Sequence, residues 1–405
     1  MSNDARELGS IFRGFLEGLL GQPAAGGAAP AAGGRPGGDW EGGASDRTAD
    51  ASGGWSTSSG EFPPDYAVWM DVNNAPKLIP GHLLVVHLAT STCYQVDPET
   101  GDATMIFAVH WGPRTFLWRT IAAPNGKIYC SLSGTVAGSD RQTPPGYQPQ
   151  QALFNYWGAV LEIDHRRGQM RVIVETKVPG VGPVRDPHGM QLLPDGRLLV
   201  CDFQGFAKGG AIYIVDPVSG AIEMVSESDN FLVPVSALLD ADGRLWVANA
   251  DMTAENDGEI MRFEPDGSEF ILVPRSGKNN GQLVGVLQSN KDEELVVFRC
   301  EWPNVRGNSA VFLVGKNTGE IEEIFGSSSD DPRFYNTNGD VSGDMLWFGE
   351  SVRKEIVGYN LRTREIEKVI DFRPVAGGWR GMIDSYDGIE SVTVIPEITV
   401  SQEME

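Results

Sequence analysis

The chain has 405 residues, with 32 Lys and Arg against 55 Asp and Glu and a formal charge of −23. That excess of carboxylates excludes a phosphate-tracking surface, because nucleic-acid binding is driven by Lys and Arg displacing counterions, and it would repel an anionic membrane. A 41% hydrophobic content supports a real core, while 50 Gly and 25 Pro imply many turns and few long helices.

Residues 1–21 read as an amphipathic helix. Leu8, Ile11, Phe12, Phe15, Leu16, Leu19 and Leu20 recur at helical spacing and form one apolar stripe, leaving Glu7, Arg13 and Glu17 on the other side. Arg13 and Glu17 interrupt any signal-peptide core, and no apolar run approaches the ~20 residues of a membrane span, so cytoplasmic residence is expected. From Gln22 to Gly60, twenty of 39 residues are Gly or Ala and none is Leu, Ile, Val, Met or Phe. Such a stretch cannot bury enough apolar area to offset its chain entropy, and residues 22–62 are read as a flexible linker. A lone helix of this length is marginal in water, so residues 8–20 are expected to dock on a protein partner or on another copy. The layout resembles the terminal helices that load cargo into bacterial protein compartments.

Residues 63–405 repeat. "HGMQLLPDGRLLVCD" from His188, continuing to "GGAIYIVDPVSGAIEMV", matches "VSALLDADGRLWVAN" from Val235, continuing to "DGEIMRFEPDGSEFILV". Each reads as strand a, an Asp-Gly turn, strand b, a loop, strand c, a turn and strand d. Strand b ends near Val86, Cys130, Val200, Val247, Phe298 and Phe348, in steps of 44, 70, 47, 51 and 50 residues. This is the period of four-stranded propeller blades, and the expectation is an all-β, six-bladed β-propeller. The first copy lacks strand a. "GIESVTVIPE" from Gly388 fits the vacancy, and a C-terminal strand there would close the ring and remove its edges.

These repeats resemble the NHL-type and gluconolactonase/regucalcin propellers and, more distantly, streptogramin lyase, over roughly residues 76–397. The resemblance implies a hydrolase or lyase acting on a small polar molecule at the mouth of the central channel, with a divalent cation (Ca, Mg or Zn) held at the starts of several a strands. Glu390 fits the glutamate of that metal site. Val235 and Val284 stand at two further ligand places and cannot ligate through their side chains.

The start of strand a, the end of strand b and the b–c loop share one face of a propeller. Residues at those places give His188, Asp186 and Glu390 as candidate acid–base groups, with His188 chosen because imidazole titrates near neutral pH. Trp118, Arg119, Asp202, Asn249 and Arg299 are candidate ligand contacts, the arginines for an anionic group. The 70-residue step places an insertion, 133–157, over the mouth as a lid carrying Tyr147, Phe154, Tyr156 and Trp157. No P-loop, G-x-G-x-x-G or G-x-S-x-G stands in its required context, so no nucleotide cofactor is expected. The alternative reading is a non-catalytic NHL-type scaffold recruited to a partner by its N-terminal helix. Cys93, Cys130, Cys201 and Cys300 form no ligand spacing and read as buried thiols.

Overall fold

The apolar b and c strands of each repeat, such as "LLV" of 198–200 and "AIYIV" of 211–215, have no polar face, so they require cover on both sides. A computed structural model provides it by standing six sheets around a common axis. It describes residues 54–57, 67–72, 74–110, 115–135, 156–176, 183–203, 210–226, 230–251, 257–275, 282–300, 309–328, 338–373 and 388–399. The helix 8–20, most of the linker, Tyr147 and positions 136–155 of the insertion lie outside the described residues.

Blade two comprises Thr115–Ala122, Ile128–Thr135, Tyr156–Asp164 and Gln169–Glu175, in sequence order from the axis outward. Blade three comprises Pro187–Leu192, Leu198–Asp202, Ala211–Val215 and Ile222–Ser226. Blades four, five and six repeat the plan from Val233–Leu239, Gln282–Gln288 and Asp340–Ser342 onward. The b and c strands of blade three are buried throughout, whereas its outer strand is largely exposed. Apolar clusters run between blades rather than within them. Leu199, Cys201, Ile212 and Ile214 of blade three pack with Phe231, Leu245, Val247 and Met261 of blade four. The Asp-Gly turns need a left-handed residue, and Gly196 and Gly243 supply it at φ +87° and +76°. Polar staples join neighbouring blades at this turn face: Gln191 bonds both backbone groups of Leu239, and Lys316 Nζ donates to Gln288 Oε1 at 2.6 Å and Asp240 Oδ2 at 3.3 Å.

Blade one has six strands. Leu83–His87, Thr92–Val96 and Ala103–His110 are flanked on the axial side by Ile389–Val394, antiparallel to Leu83–His87 with Val392 opposite Val85. On the outer side Ala67–Met70 and Gly54–Thr57 add two further strands. Among the described residues strand pairing thus reaches Gly54–Thr57, within the segment read as linker; the outer edge at Ala103–His110 offers unpaired backbone groups, and the strand added there buries Val68 and Met70 against it. At the ends of the 133–157 insertion Gly134 pairs with Trp157 and Thr135 with Tyr156, so the ladder of blade two continues into both.

All four cysteines are free and buried, and burial pushes the Cys93 thiol up to about 12. Among the described residues no helix is long and apolar enough to cross a membrane.

Deleting residues 388–405 removes the axial strand of blade one and leaves the Leu83–His87 ladder unpaired on that side. The expected outcome is loss of the cooperative thermal transition by circular dichroism. A melting temperature within a few degrees of the full chain would show that this strand is dispensable.

Candidate functional site

The inner strands carry an extra residue at one height. Leu117 faces Leu132 and Arg119 faces Ser131, which leaves Trp118 out of the ladder. The same irregularity leaves out His188 with Gly189, Val235, Val284 and Glu390 in four other blades. In blade six Asn338 forms an isolated bridge to Ser391, next to Glu390. A bulge turns its extra residue out of the strand alternation, so the repeated bulges assemble one ring of side chains around the axis.

Half of that ring is apolar. Val235 and Val284, 4% and 3% exposed, belong to a cluster with Phe203, Phe298 and Phe348. These are two of the places where the resemblance puts metal ligands, and hydrocarbon cannot replace a cation's hydration shell. No group of three or more His, Cys, Asp or Glu capable of holding a metal occurs among the described residues. The donor set the resemblance implies is therefore not assembled around Glu390 by the described residues.

The other half holds an aromatic stack. The His188 ring lies between Trp118, at 3.8 Å and 24° between planes, and Phe203, at 4.6 Å and 17°. Phe116 also stacks on Trp118, at 5.3 Å and 30° between planes. The indole is held in turn, its Nε1–H donating to Ser133 Oγ at 2.7 Å. With both ring faces covered, His188 keeps one plane, and its Nε2 lies 3.2 Å from Oδ1 of the buried Asp186. Ser131 Oγ donates to the His188 carbonyl at 3.3 Å and ties the same residue to blade two.

Asp186 owes its position to the residues around it. Asp202 is fully buried, with Oδ1 accepting from the Asp186 amide at 2.8 Å and Oδ2 from the Arg185 amide at 3.0 Å. Burial pushes the Asp202 carboxyl up, against the lowering effect of those two bonds. Just upstream, the fully buried Val184 has φ +59°, a left-handed conformation that a β-branched residue adopts at a cost of about 1–3 kcal/mol. Its carbonyl accepts from Thr176 Oγ1 at 2.8 Å. Residues 184–188 thus enter the inner strand along a strained path that tertiary bonds maintain.

Of the residues expected at the mouth, the structure brings together Trp118, Asp186, His188 and, through its backbone clasp, Asp202. Asn249 has the Asp202 role one blade on: its Oδ1 accepts from the Leu232 and Val233 amides, and its Nδ2 donates to Glu259 Oε1 at 2.7 Å. Asp202 is likewise occupied with backbone. Arg299 is elsewhere, because strand alternation turns it along the blade face, where its guanidinium covers Phe312 at 4.8 Å and lies 3.8 Å from Glu323. Arg119 lies inside the ring, with its guanidinium against the Gly339 carbonyl of blade six. Glu390 stands on the bulge of blade one, 6% exposed. Phe116 and Phe203 were missed by sequence reasoning. Phe116 precedes Trp118 by two, the period that returns a strand to the same face, and Phe203 directly follows the strand b end.

No family model matches the chain, and no curated relative matches it in sequence. Solved structures do match in shape. A nidogen/laminin complex chain superposes with a TM-score of 0.53 at 10% identity, covering 78% of this chain and 99% of that one. A Bacteroides caccae protein of unknown function gives 0.48 at 12% identity, over 78% and 98%. A catalytically inactive virginiamycin B lyase from Staphylococcus aureus, solved with quinupristin, gives 0.41 at 15%, over 79% and 85%. At these identities the likeness is one of fold, and the class defined is the six-bladed β-propeller.

Truncating Asn249 removes the acceptor of the Leu232 and Val233 amides, whereas Glu259 keeps its ion pair with Arg275. Asn249→Ala is expected to cost about 2–4 kcal/mol in urea denaturation while leaving ligand contacts untouched.

Proposed function

We propose that the protein binds and transforms a small polar molecule at the channel mouth, by hydrolysis or by a lyase-type elimination, with His188 moving the proton. One observation carries this reading: an imidazole clamped between two aromatic rings with one nitrogen 3.2 Å from a buried carboxylate. A carboxylate at that distance stabilises the imidazolium once formed, and Asp186 Oδ1, buried without a hydrogen-bond partner among the described residues, is left for the protonated ring. The strained entry at Val184 and the Asp202 clasp hold Asp186 in place for that role. Glu390, on the neighbouring blade's bulge, serves as second acid–base group, and the insertion around Tyr147 covers the mouth. In this reading the C-terminal strand closes the ring, and the enzyme works in the cytoplasm.

His188→Ala is expected to lower kcat against a panel of lactones, esters and cyclic peptides by about 10²–10⁴-fold, with Asp186→Asn intermediate. Full retention of a detected activity in both variants would remove the assignment.

A second reading, a scaffold without turnover, is favoured by the apolar outer strands. Met224, Phe270, Ile271, Ile366 and Val369 are all about half exposed on the perimeter of blades three, four and six. There the propeller contacts proteins, and residues 8–20 form a docking helix on the 22–53 part of the tether. Deleting residues 1–21 is then expected to leave the melting temperature unchanged while abolishing a pull-down partner or a higher oligomer in sedimentation. Unaltered partners and assembly would refute the docking role.

A further inference from the structure

Immediately past the bulges, the inner strands place a second ring of residues around the axis. Arg119 and its counterparts Ser391, Gly189, Ser236, Gly285 and Gly339 occupy it, each one step along the strand from its blade's place in the ring above. Three of these places are glycine and two are serine; a Cβ at Gly189 would lie 2.7 Å from the Val235 carbonyl and one at Gly339 2.7 Å from the Trp347 carbonyl, so close packing demands glycine there, and Arg119 is the one long side chain in the set. Arg119 starts on blade two and reaches the backbone of blade six.

Its donors are poorly used there. The guanidinium offers five N–H groups in a planar fork. Both terminal nitrogens converge on the single Gly339 carbonyl at 3.4 and 3.3 Å, and Nε, buried in a residue 7% exposed, has no acceptor among the described residues. Ser391, 1% exposed, is the second such group: its Oγ is buried without a partner among the described residues. The two residues stand at equivalent positions on adjacent inner strands, whose contact is fixed by Thr393 Oγ1 donating to the Thr120 carbonyl at 2.8 Å. Asp340 is the charged group facing Arg119. Its own oxygens accept from the Val341 and Val394 amides at 2.9 and 2.8 Å, so it offsets the guanidinium charge without satisfying Nε.

Native interiors pair nearly all buried polar groups, and two unpaired donors at adjacent places call for one acceptor from outside the chain. We propose that Arg119 and Ser391 form an oxygen subsite at the floor of the channel mouth, which receives a carboxylate or carbonyl oxygen of the molecule bound above it. The inference rests on the mouth being a ligand site. It makes the ligand an oxygen-acceptor compound, and it makes Arg119 a specificity determinant beside Trp118, one residue from the ring that covers His188.

The test uses the full chain and two isosteric probes, sodium formate and formamide, with sodium chloride at matched ionic strength as the reference. Differential scanning calorimetry is expected to show a saturable rise in melting temperature with at least one probe, at an affinity on the order of millimolar given three heavy atoms. Formate alone identifies a carboxylate-bearing ligand, and formamide acting equally well identifies a carbonyl. Ser391→Ala, which deletes an unbonded hydroxyl, should melt at or above the parent without probe and bind the probe about tenfold more weakly. Arg119→Gln should abolish the rise, whereas His188→Ala should retain it, which keeps this readout separate from turnover. The proposal is overturned by no saturable rise with either probe, or by undiminished binding in Ser391→Ala. A fall in the melting temperature of Ser391→Ala without probe overturns it too, since that would show the hydroxyl already bonded within the protein.

Discussion

Everything at the axis depends on one antiparallel ladder, in which residues near the two ends of the repeat region meet. Ile389–Val394 hydrogen-bonds to Leu83–His87, separated from it by almost the whole propeller sequence. Without it the axial edge of blade one would present bare N–H and C=O groups to the channel, and buried backbone groups are rarely left so. The ladder also sets heights. Because Ile389 pairs with His87 and Ser391 with Val86, the bulge falls on Glu390, level with Trp118 on the next blade.

The two halves of the mouth differ because of what stands on those bulges. Valine on blades four and five continues the interblade core to the axis and offers no ligating atom there. Tryptophan and histidine on blades two and three stack instead, and the stack sits over an acidic clasp. Asp202 does not face a ligand; its carboxylate bonds backbone amides that carry Asp186 to His188. Asn249 makes the matching bonds where the bulge is Val235, so the clasp belongs to the fold. His188 and Asp186 are what blade three adds to it. The overall acidity plays little part in this, since most of the −23 lies in the folded body and serves solubility.

Much of the site was legible as position and little as contact. His188 and Asp186 were found because the a–b turn of each repeat counts residues back to the same height. The same count gave Trp118, Glu390 and the two valines. It placed Asp202 and Asn249 at strand ends, where capping is their usual role, but could not name the amides they bond, which belong to the chain entering their own blade's inner strand. Arg299 was misplaced for a related reason: one step along a strand reverses the face, and the count is blind to which face reaches the axis.

The sequence alone determined the number of blades, their four-strand plan and the glycine-bearing turns, since these follow from local periodicity and from the conformations that Asp-Gly allows. It also marked residues 1–62 as different in kind, although sheet pairing recruits Gly54–Thr57 to the body. Only the tertiary structure decided what meets at the axis. Arg119 and Gly339 lie 220 residues apart, and nothing in either neighbourhood announces the other. Their meeting depends on six blades converging on one channel, packed so closely that Gly189 and Gly339 admit no side chain, while Arg119 reaches from one blade to another.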